Sequence, residues 1–144
     1  LTSYLLDVNV LIAILDQEHV HHLRSRTWFQ DTGQRHWLTC PTTENGVIRI
    51  MSLPSYPRLA TNPASVLESL ESLRRIGRHT FVADHISLLD DPNVIRSRIL
   101  ASKQVTDTYL LALVVHHDAI LATSDSRLSP IAVRNGAEHL LRIT

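Results

Sequence analysis

The chain has 144 residues, 44% of them hydrophobic, which is one domain by size and enough apolar surface for a real core. That composition excludes a disordered or low-complexity chain. The 14 basic and 14 acidic residues cancel to a formal charge of +0, which excludes nucleic-acid binding by overall charge. A role on nucleic acid then requires a local basic patch, or a metal between acidic side chains and phosphate.

The lone Cys40, beside Trp37 and Leu38, fits a reduced intracellular protein. No uninterrupted apolar run approaches membrane-spanning length, and no basic stretch leads into a signal-peptide core. The expected compartment is therefore the cytoplasm. The sequence shows no internal repeat and no linker, so residues 1–144 are expected to form a single domain.

Tyr4 to Leu6 reads as the end of a buried strand. Val8, Leu11, Ile12 and Leu15 then recur at helical spacing. Asp7 sits at the join, where the next backbone N–H groups lack partners. A single acid in an apolar run costs desolvation energy unless paired, so Asp7 is either a structural cap or one ligand of a metal. Asp16 to Glu18 form a turn, and His19 to Phe29 a second helix, with Gly33 ending the turn that follows. Residues 36–40, HWLTC, are a short second strand. Pro41-Thr42-Thr43-Glu44 starts a helix whose buried side is Val47, Ile48 and Met51. Residues 53–60, with two prolines, form a loop.

Asn62-Pro63 caps an amphipathic helix built on Val66, Leu67, Leu70 and Leu73. Arg74 and Arg75 fall in its last turn and Gly77 just beyond. His79 to Ala83 is a third strand. Residues 84–92 hold a short helical turn around Ile86 to Leu89, and Val94 to Ala101 a further helix. Val105 to His117 is the most apolar helix, Ala119 to Thr123 a fourth strand and Glu138 to Ile143 a fifth. Strands alternating with helices imply an α/β fold, a mostly parallel central sheet flanked by helices.

This alternation gathers acids. Asp7 follows the first strand, Glu44 lies in the first turn of the helix after the second, and Asp125 follows the fourth. Asp107 lies in the first turn of the helix before the fourth strand. In an open α/β sheet, strand carboxyl ends and the N-termini of following helices share one edge, provided the Asp107 helix points its N-terminus there too. Four acids converging at that edge repel one another unless a cation neutralises them. Oxygen ligands favour a hard ion such as Mg2+ or Mn2+, which activates water and stabilises charge on a phosphodiester. Each acid also has a plainer reading: Asp7, Glu44 and Asp107 as ordinary helix-start residues, and Asp125 as the cap of a turn over Ser126 to Leu128.

At these residues the sequence resembles a known family. LLDVNVLIAIL at 5–15, TTENGVIRI at 42–50, TDTYLLALVVHHDAILATSD at 106–125 and RL at 127–128 are similar to PIN-domain ribonucleases of the VapC toxin class, from bacterial toxin–antitoxin pairs. The resemblance implies a PIN-like fold over the whole chain. It places Asp7, Glu44, Asp107 and Asp125 where the family has its acidic metal-binding residues, with Glu44 either a direct ligand or an organiser of the water shell. Asn9 matches the polar position after the first aspartate, and Thr123 and Ser124 the polar lead into the last. It also implies an endoribonuclease dependent on Mg2+ or Mn2+, acting on RNA, dimerising, and inhibited by a small VapB-like antitoxin.

Arg49, five positions after Glu44, is a candidate to anchor an acid or contact phosphate, with a plain salt bridge as the alternative. Arg24, Arg26 and Arg58 are candidate backbone contacts, because the guanidinium fork suits phosphate. Trp28, Phe29, Trp37 and Phe81 are expected to pack, and Asp84, Asp90 and Asp91 to be surface or turn residues. The nine histidines lack structural-zinc spacing. His19 and His22 can share a helical face that His21 cannot join. Two other functions compete with the toxin ribonuclease: a metal-dependent DNA or structure-selective nuclease, and a weakly active scaffold that binds a partner.

Overall fold

The computed structural model describes residues 1–58 and 62–144. Its elements run β1 (Tyr4–Leu6), α1 (Val8–Leu15), α2 (His22–Asp31), β2 (Trp37–Thr39), α3 (Pro41–Met51), α4 (Pro63–Leu73), β3 (His79–Phe81), α5 (Gln104–His116), β4 (Ile120–Thr123) and β5 (Leu140–Arg142). All strands pair in parallel, in the order β3-β2-β1-β4-β5. The α/β architecture expected from the alternation is therefore present. From β1 the chain moves outward to β2 and β3, then returns to lay β4 on the other side of β1. The β1/β4 pair is the topological switch point of the sheet, where open α/β folds place their ligands.

Strand alternation divides the core in two. Leu5, Leu38 and Leu121 face α5, whereas Leu6, Trp37 and Ala122 face α1 to α4. Each fully buried Leu among them contributes roughly 1.5–3 kcal/mol over an exposed one. Trp37 is fully buried; its Nε1 donates to the Ile76 carbonyl at 2.9 Å, and Phe29 meets it edge to face at 5.2 Å. On α5, Leu110 to Val114 are all buried. A helix apolar all round needs a second cover, and Ile86, Val94, Leu128 and Val133 pack on the same cluster as the sheet.

That cover corrects one expectation. Residues 94–101 are not a helix: Val94 bridges Val133 antiparallel, and the Ile95 N–H donates to the Ala132 carbonyl at 2.8 Å. Only Arg96–Arg98 completes a 3-10 turn. Long-range pairing takes backbone groups that local periodicity assigns to a helix, and tertiary context routinely overrides propensity. The short turn expected near Ile86 to Leu89 falls at residues 88–90, with the Asp90 and Asp91 N–H groups bonded to the Ser87 carbonyl. The second helix begins at His22 because Asp16 holds the preceding residues in turns. Its carboxylate accepts from the Glu18 N–H at 3.0 Å and its carbonyl from the His19 N–H. The fifth strand shortens to Leu140–Arg142 behind a 3-10 turn at Gly136–His139. The expected loop at 53–60 is seen as turns and bends over 53–58; its last two residues lie outside the described ones.

Two glycines are forced by close approach. Gly77 has φ +64°, and a Cβ there would lie 2.1 Å from the Gln34 carbonyl oxygen. Gly46 lets α3 approach α1, since its Cβ would stand 2.7 Å from Val8 Cγ2.

Candidate active site

Because the strands are parallel, β2, β1 and β4 present their carboxyl ends side by side, and Glu44, Asp7 and Asp125 follow those ends. The helix α5 leads into β4, so its N-terminus, with Asp107 in the first turn, lies toward the same edge. That orientation is the condition the acid reading required.

Asp7 is the best-defined member. It caps α1, its Oδ1 accepting from the Val8 N–H at 2.8 Å. Oδ2 accepts from Thr123 Oγ1 at 2.8 Å and lies 3.4 Å from Asn9 Nδ2. Asn9 also ties in β4, its Oδ1 accepting from the Ser124 N–H at 3.0 Å. Asp7 as a residue is only 7% exposed. Burial raises its pKa and the charge of Asp125 adds to that, against the Thr123 and Val8 bonds, which favour the anion.

Asp107 is pushed up to about 6, by burial first and then by the charges of Asp7 and Asp125. Asp125 itself is oriented by its Oδ1, which accepts from the Arg127 N–H at 2.9 Å; its own N–H donates to Thr123 Oγ1 at 3.1 Å. Asp107 and Asp125 line a cleft of about 200 Å3 together with Lys103, Gln104 and Arg127. The structure thus brings Asp7, Asp107 and Asp125 into one electrostatic group.

Glu44 is held differently. Its Oε2 accepts from Thr39 Oγ1 at 2.6 Å and lies 3.3 Å from Arg74 Nη1. The Thr39 hydroxyl in turn accepts from His79 Nε2 at 2.7 Å. Burial and the Arg74 charge bring His79 down to about 4, so the ring is neutral with its proton on Nε2. The arginine that pairs with Glu44 is therefore Arg74 from the end of α4, while Arg49 is exposed on α3. Only the distant sequence position of Arg74 hid it; nothing local marks it as the partner of Glu44.

The other expected residues fall elsewhere. Arg58 binds Asp16 at 2.9 Å, Arg24 reaches His21, and Arg26 lines a groove between α1, α2 and α4. Asp84 is a bridge, accepting from the Thr42 N–H and hydroxyl on α3 and from the Tyr109 hydroxyl on α5. It thereby ties together the helices that carry Glu44 and Asp107. His19 and His21 lie outside any helix with their rings tilted against each other, centroids 5.6 Å apart, because α2 starts only at His22. Phe81 corrects an expectation of packing: on the edge strand it is 46% exposed.

The donor set suits a hard cation: carboxylate oxygens crowded enough that Asp125 raises Asp7 and the two together raise Asp107, with no thiolate among them. Among the described residues no three His, Cys, Asp or Glu side chains stand close enough to cage an ion. Such a set fits an ion that keeps water, as Mg2+ usually does on one or two carboxylates.

A family model described as PIN domain matches residues 4–133. Ribonuclease VapC44 of Mycobacterium tuberculosis is 43% identical over 132 residues, covering 90% of this chain and 90% of that one. Ribonuclease VapC38 of the same organism is 38% identical over 128 residues, 89% of each. A solved structure of Mycobacterium tuberculosis VapC20, described as a sarcin-ricin loop cleaving toxin, superposes with TM-score 0.54 over 81% of this chain and 85% of that chain. At 10% identity this last likeness concerns the fold alone. The chain belongs to the PIN-domain family, and within it stands with the VapC-like ribonucleases. Among the described residues no helix is long and apolar enough to cross a membrane.

Proposed function

We propose that this protein is an endoribonuclease that hydrolyses RNA phosphodiester bonds with Mg2+ or Mn2+, as the toxin of a cytoplasmic toxin–antitoxin pair. The observation that carries the reading is the convergence of three acids at the β1/β4 switch point: Thr123 Oγ1 joins Asp7 to the Asp125 backbone, Asp107 and Asp125 line one cleft, and Asp7 and Asp125 raise Asp107. In this reading Asp7, Asp107 and Asp125 hold the ion, some of them through its retained water, and Glu44 orients a ligand or water. The bound ion lowers the pKa of water and neutralises charge developing on phosphate oxygens.

The chain's own part is preorganisation. Thr123, Asn9 and the Val8 N–H aim the Asp7 carboxyl. Thr39 and Arg74 hold Glu44, and the Arg127 N–H holds Asp125. Asn9, Thr123 and Ser124 thus act as positioning residues, and Arg49 is a candidate substrate contact. Water attacks rather than the neighbouring 2′ hydroxyl, so products carry 5′-phosphate and 3′-hydroxyl ends.

The proposed partners are the RNA substrate, a second copy of the chain, and a VapB-like antitoxin. A groove of about 640 Å3 supports partner docking, lined by Ile14, Leu15, Phe29, Leu73 and Ile76 with Arg26 among them. An antitoxin that covers the acidic edge with an Arg would compete with the metal and pair the carboxylates.

The test is cleavage of total RNA, structured RNA and single-stranded DNA, with and without metal, followed by mapping of product ends. Metal-dependent RNA cleavage leaving 5′-phosphates is expected; a 2′,3′-cyclic phosphate would sink the mechanism. Expression of the wild type should slow bacterial growth and Asp7→Asn should not. A folded, metal-loaded chain that is harmless and unbound by the product of the adjacent gene overturns the toxin reading.

A further inference from the structure

Phe81 closes β3, the edge strand, at the same carboxyl edge of the sheet as the acids. The Phe81 residue is only about half covered. Yet the Arg74 guanidinium carbon lies 5.5 Å from its ring centroid, and the same side chain reaches Glu44 Oε2 at 3.3 Å. His79, two residues back on the same face of the strand, is joined through Thr39 to that carboxylate. Aromatic ring, guanidinium and acid thus form one connected set. Glu44, Arg74, Arg75 and His79 line an open groove of about 710 Å3 beside it, which also carries Glu68 and Glu71, the latter 3.6 Å from Arg75. Arg74, Arg75 and Arg78, all exposed, fall in the five residues leading into β3, Arg74 paired with Glu44 and Arg75 with Glu71. An exposed aromatic ring with a guanidinium over it is π surface of the kind on which an unstacked nucleobase packs.

We infer that Phe81 and Arg74 form a base-stacking subsite for single-stranded RNA, which holds a nucleotide flanking the scissile phosphate. The inference rests on the ribonuclease reading above. Because every base has a π-face, the subsite takes any base and supplies grip rather than sequence choice. It binds unpaired nucleotides and rejects duplex, since a paired base cannot lie on the ring.

The test uses full-length protein carrying Asp7→Asn, so that RNA survives, and two probes: a fluorescent oligouridylate, and an abasic ribose-phosphate chain of equal length. The parent should bind the oligouridylate about ten-fold more tightly than the abasic chain. Adding Phe81→Leu keeps apolar bulk but removes the ring, and should erase that preference. Phe81→Tyr should retain it. Thermal melting confirms that each variant is folded. Equal affinity of the parent for both probes overturns the subsite, as does a Phe81→Leu variant that still prefers the base-bearing chain. A Phe81→Leu variant that loses the antitoxin while keeping oligouridylate assigns the ring to a protein partner and also overturns it. If the wild type cleaves RNA while these arms fail, the nuclease reading stands without the subsite. If the wild type neither binds nor cleaves RNA, both fall.

Discussion

Thr123 Oγ1 donates a 2.8 Å hydrogen bond to Asp7 Oδ2, so the last residue of β4 aims the carboxylate that follows β1. The bond crosses 116 residues of chain and joins the two strands of the switch point. Thr123→Val removes the donor without changing shape much, at a cost of about 1–3 kcal/mol for a buried carboxylate left short of a partner. It should also raise the Asp7 carboxyl further, since this bond favours the anion. The acid limb of the pH–rate profile should then move to higher pH, and Thr123→Ser should restore it. A profile unchanged in Thr123→Val would show that Asp7 does not control it.

The crowded acids make the metal-free protein sensitive to pH. Asp107 titrates at about 6 in the folded chain against an ordinary 3.8. Between those values the folded state binds more protons than the unfolded one, so stability falls as pH rises from about 4 to about 6. In chelator, the melting temperature should drop across that window. Asp7, also raised, contributes in the same direction. Asp107→Asn should flatten the drop, and melting curves at a series of pH values check it.

Metal should reverse the loss, because an ion that binds only the folded form stabilises it. For one site at about 100 times its dissociation constant the gain is roughly 2.7 kcal/mol. Ligand carboxyls must be deprotonated, so the gain should shrink as pH falls below about 6, where Asp107 takes up its proton. Asp7→Asn and Asp107→Asn should each lose most of the shift. Identical shifts in wild type and both variants count against a shared site.

Gly46 stands against the residue whose N–H caps the site. A Cβ at position 46 would lie 2.7 Å from Val8 Cγ2, and the Val8 N–H donates to Asp7 Oδ1 at 2.8 Å. Gly46→Ala should cost about 1–3 kcal/mol by overpacking. Val8→Ala should recover most of that loss in the double variant, because it vacates the space. Urea melts of the four proteins in the cycle decide it; additive losses would mean that the two sites do not touch.

The far end of α1 holds a second buried acid with the opposite behaviour. Burial would raise Asp16, but hydrogen bonds from Tyr56 and Arg58 outweigh it and hold the carboxyl below its ordinary value. Tyr56 donates to Asp16 Oδ2 at 2.6 Å. Tyr56→Phe should cost about 1–2 kcal/mol at neutral pH. A lowered carboxyl stabilises the fold above its ordinary 3.8 and loses that effect as pH falls through its folded value. The gap between Tyr56→Phe and wild type should therefore close in acid. RNA cleavage should survive, since Asp7 lies at the other end of the helix.

What the sequence determined by itself was local or periodic. Alternating strands and amphipathic helices announce the parallel sheet because each element must bury one face. Asp7, Glu44, Asp107 and Asp125 were legible as candidates because each sits beside an element boundary, and parallel topology sends those boundaries to one edge. Tertiary structure alone decided what depends on contacts between distant residues. Residues 94–101 carry helical periodicity, yet Val94 pairs with Val133. Glu44 takes its cation from Arg74 rather than from nearby Arg49, because packing of α4 beside α3 brings the end of α4 to it. Phe81 looks like core in the sequence and lies open in the fold, because β3 is an edge strand. Hydrophobicity sets which side chains seek burial, but strand order decides which of them find a neighbour to cover them.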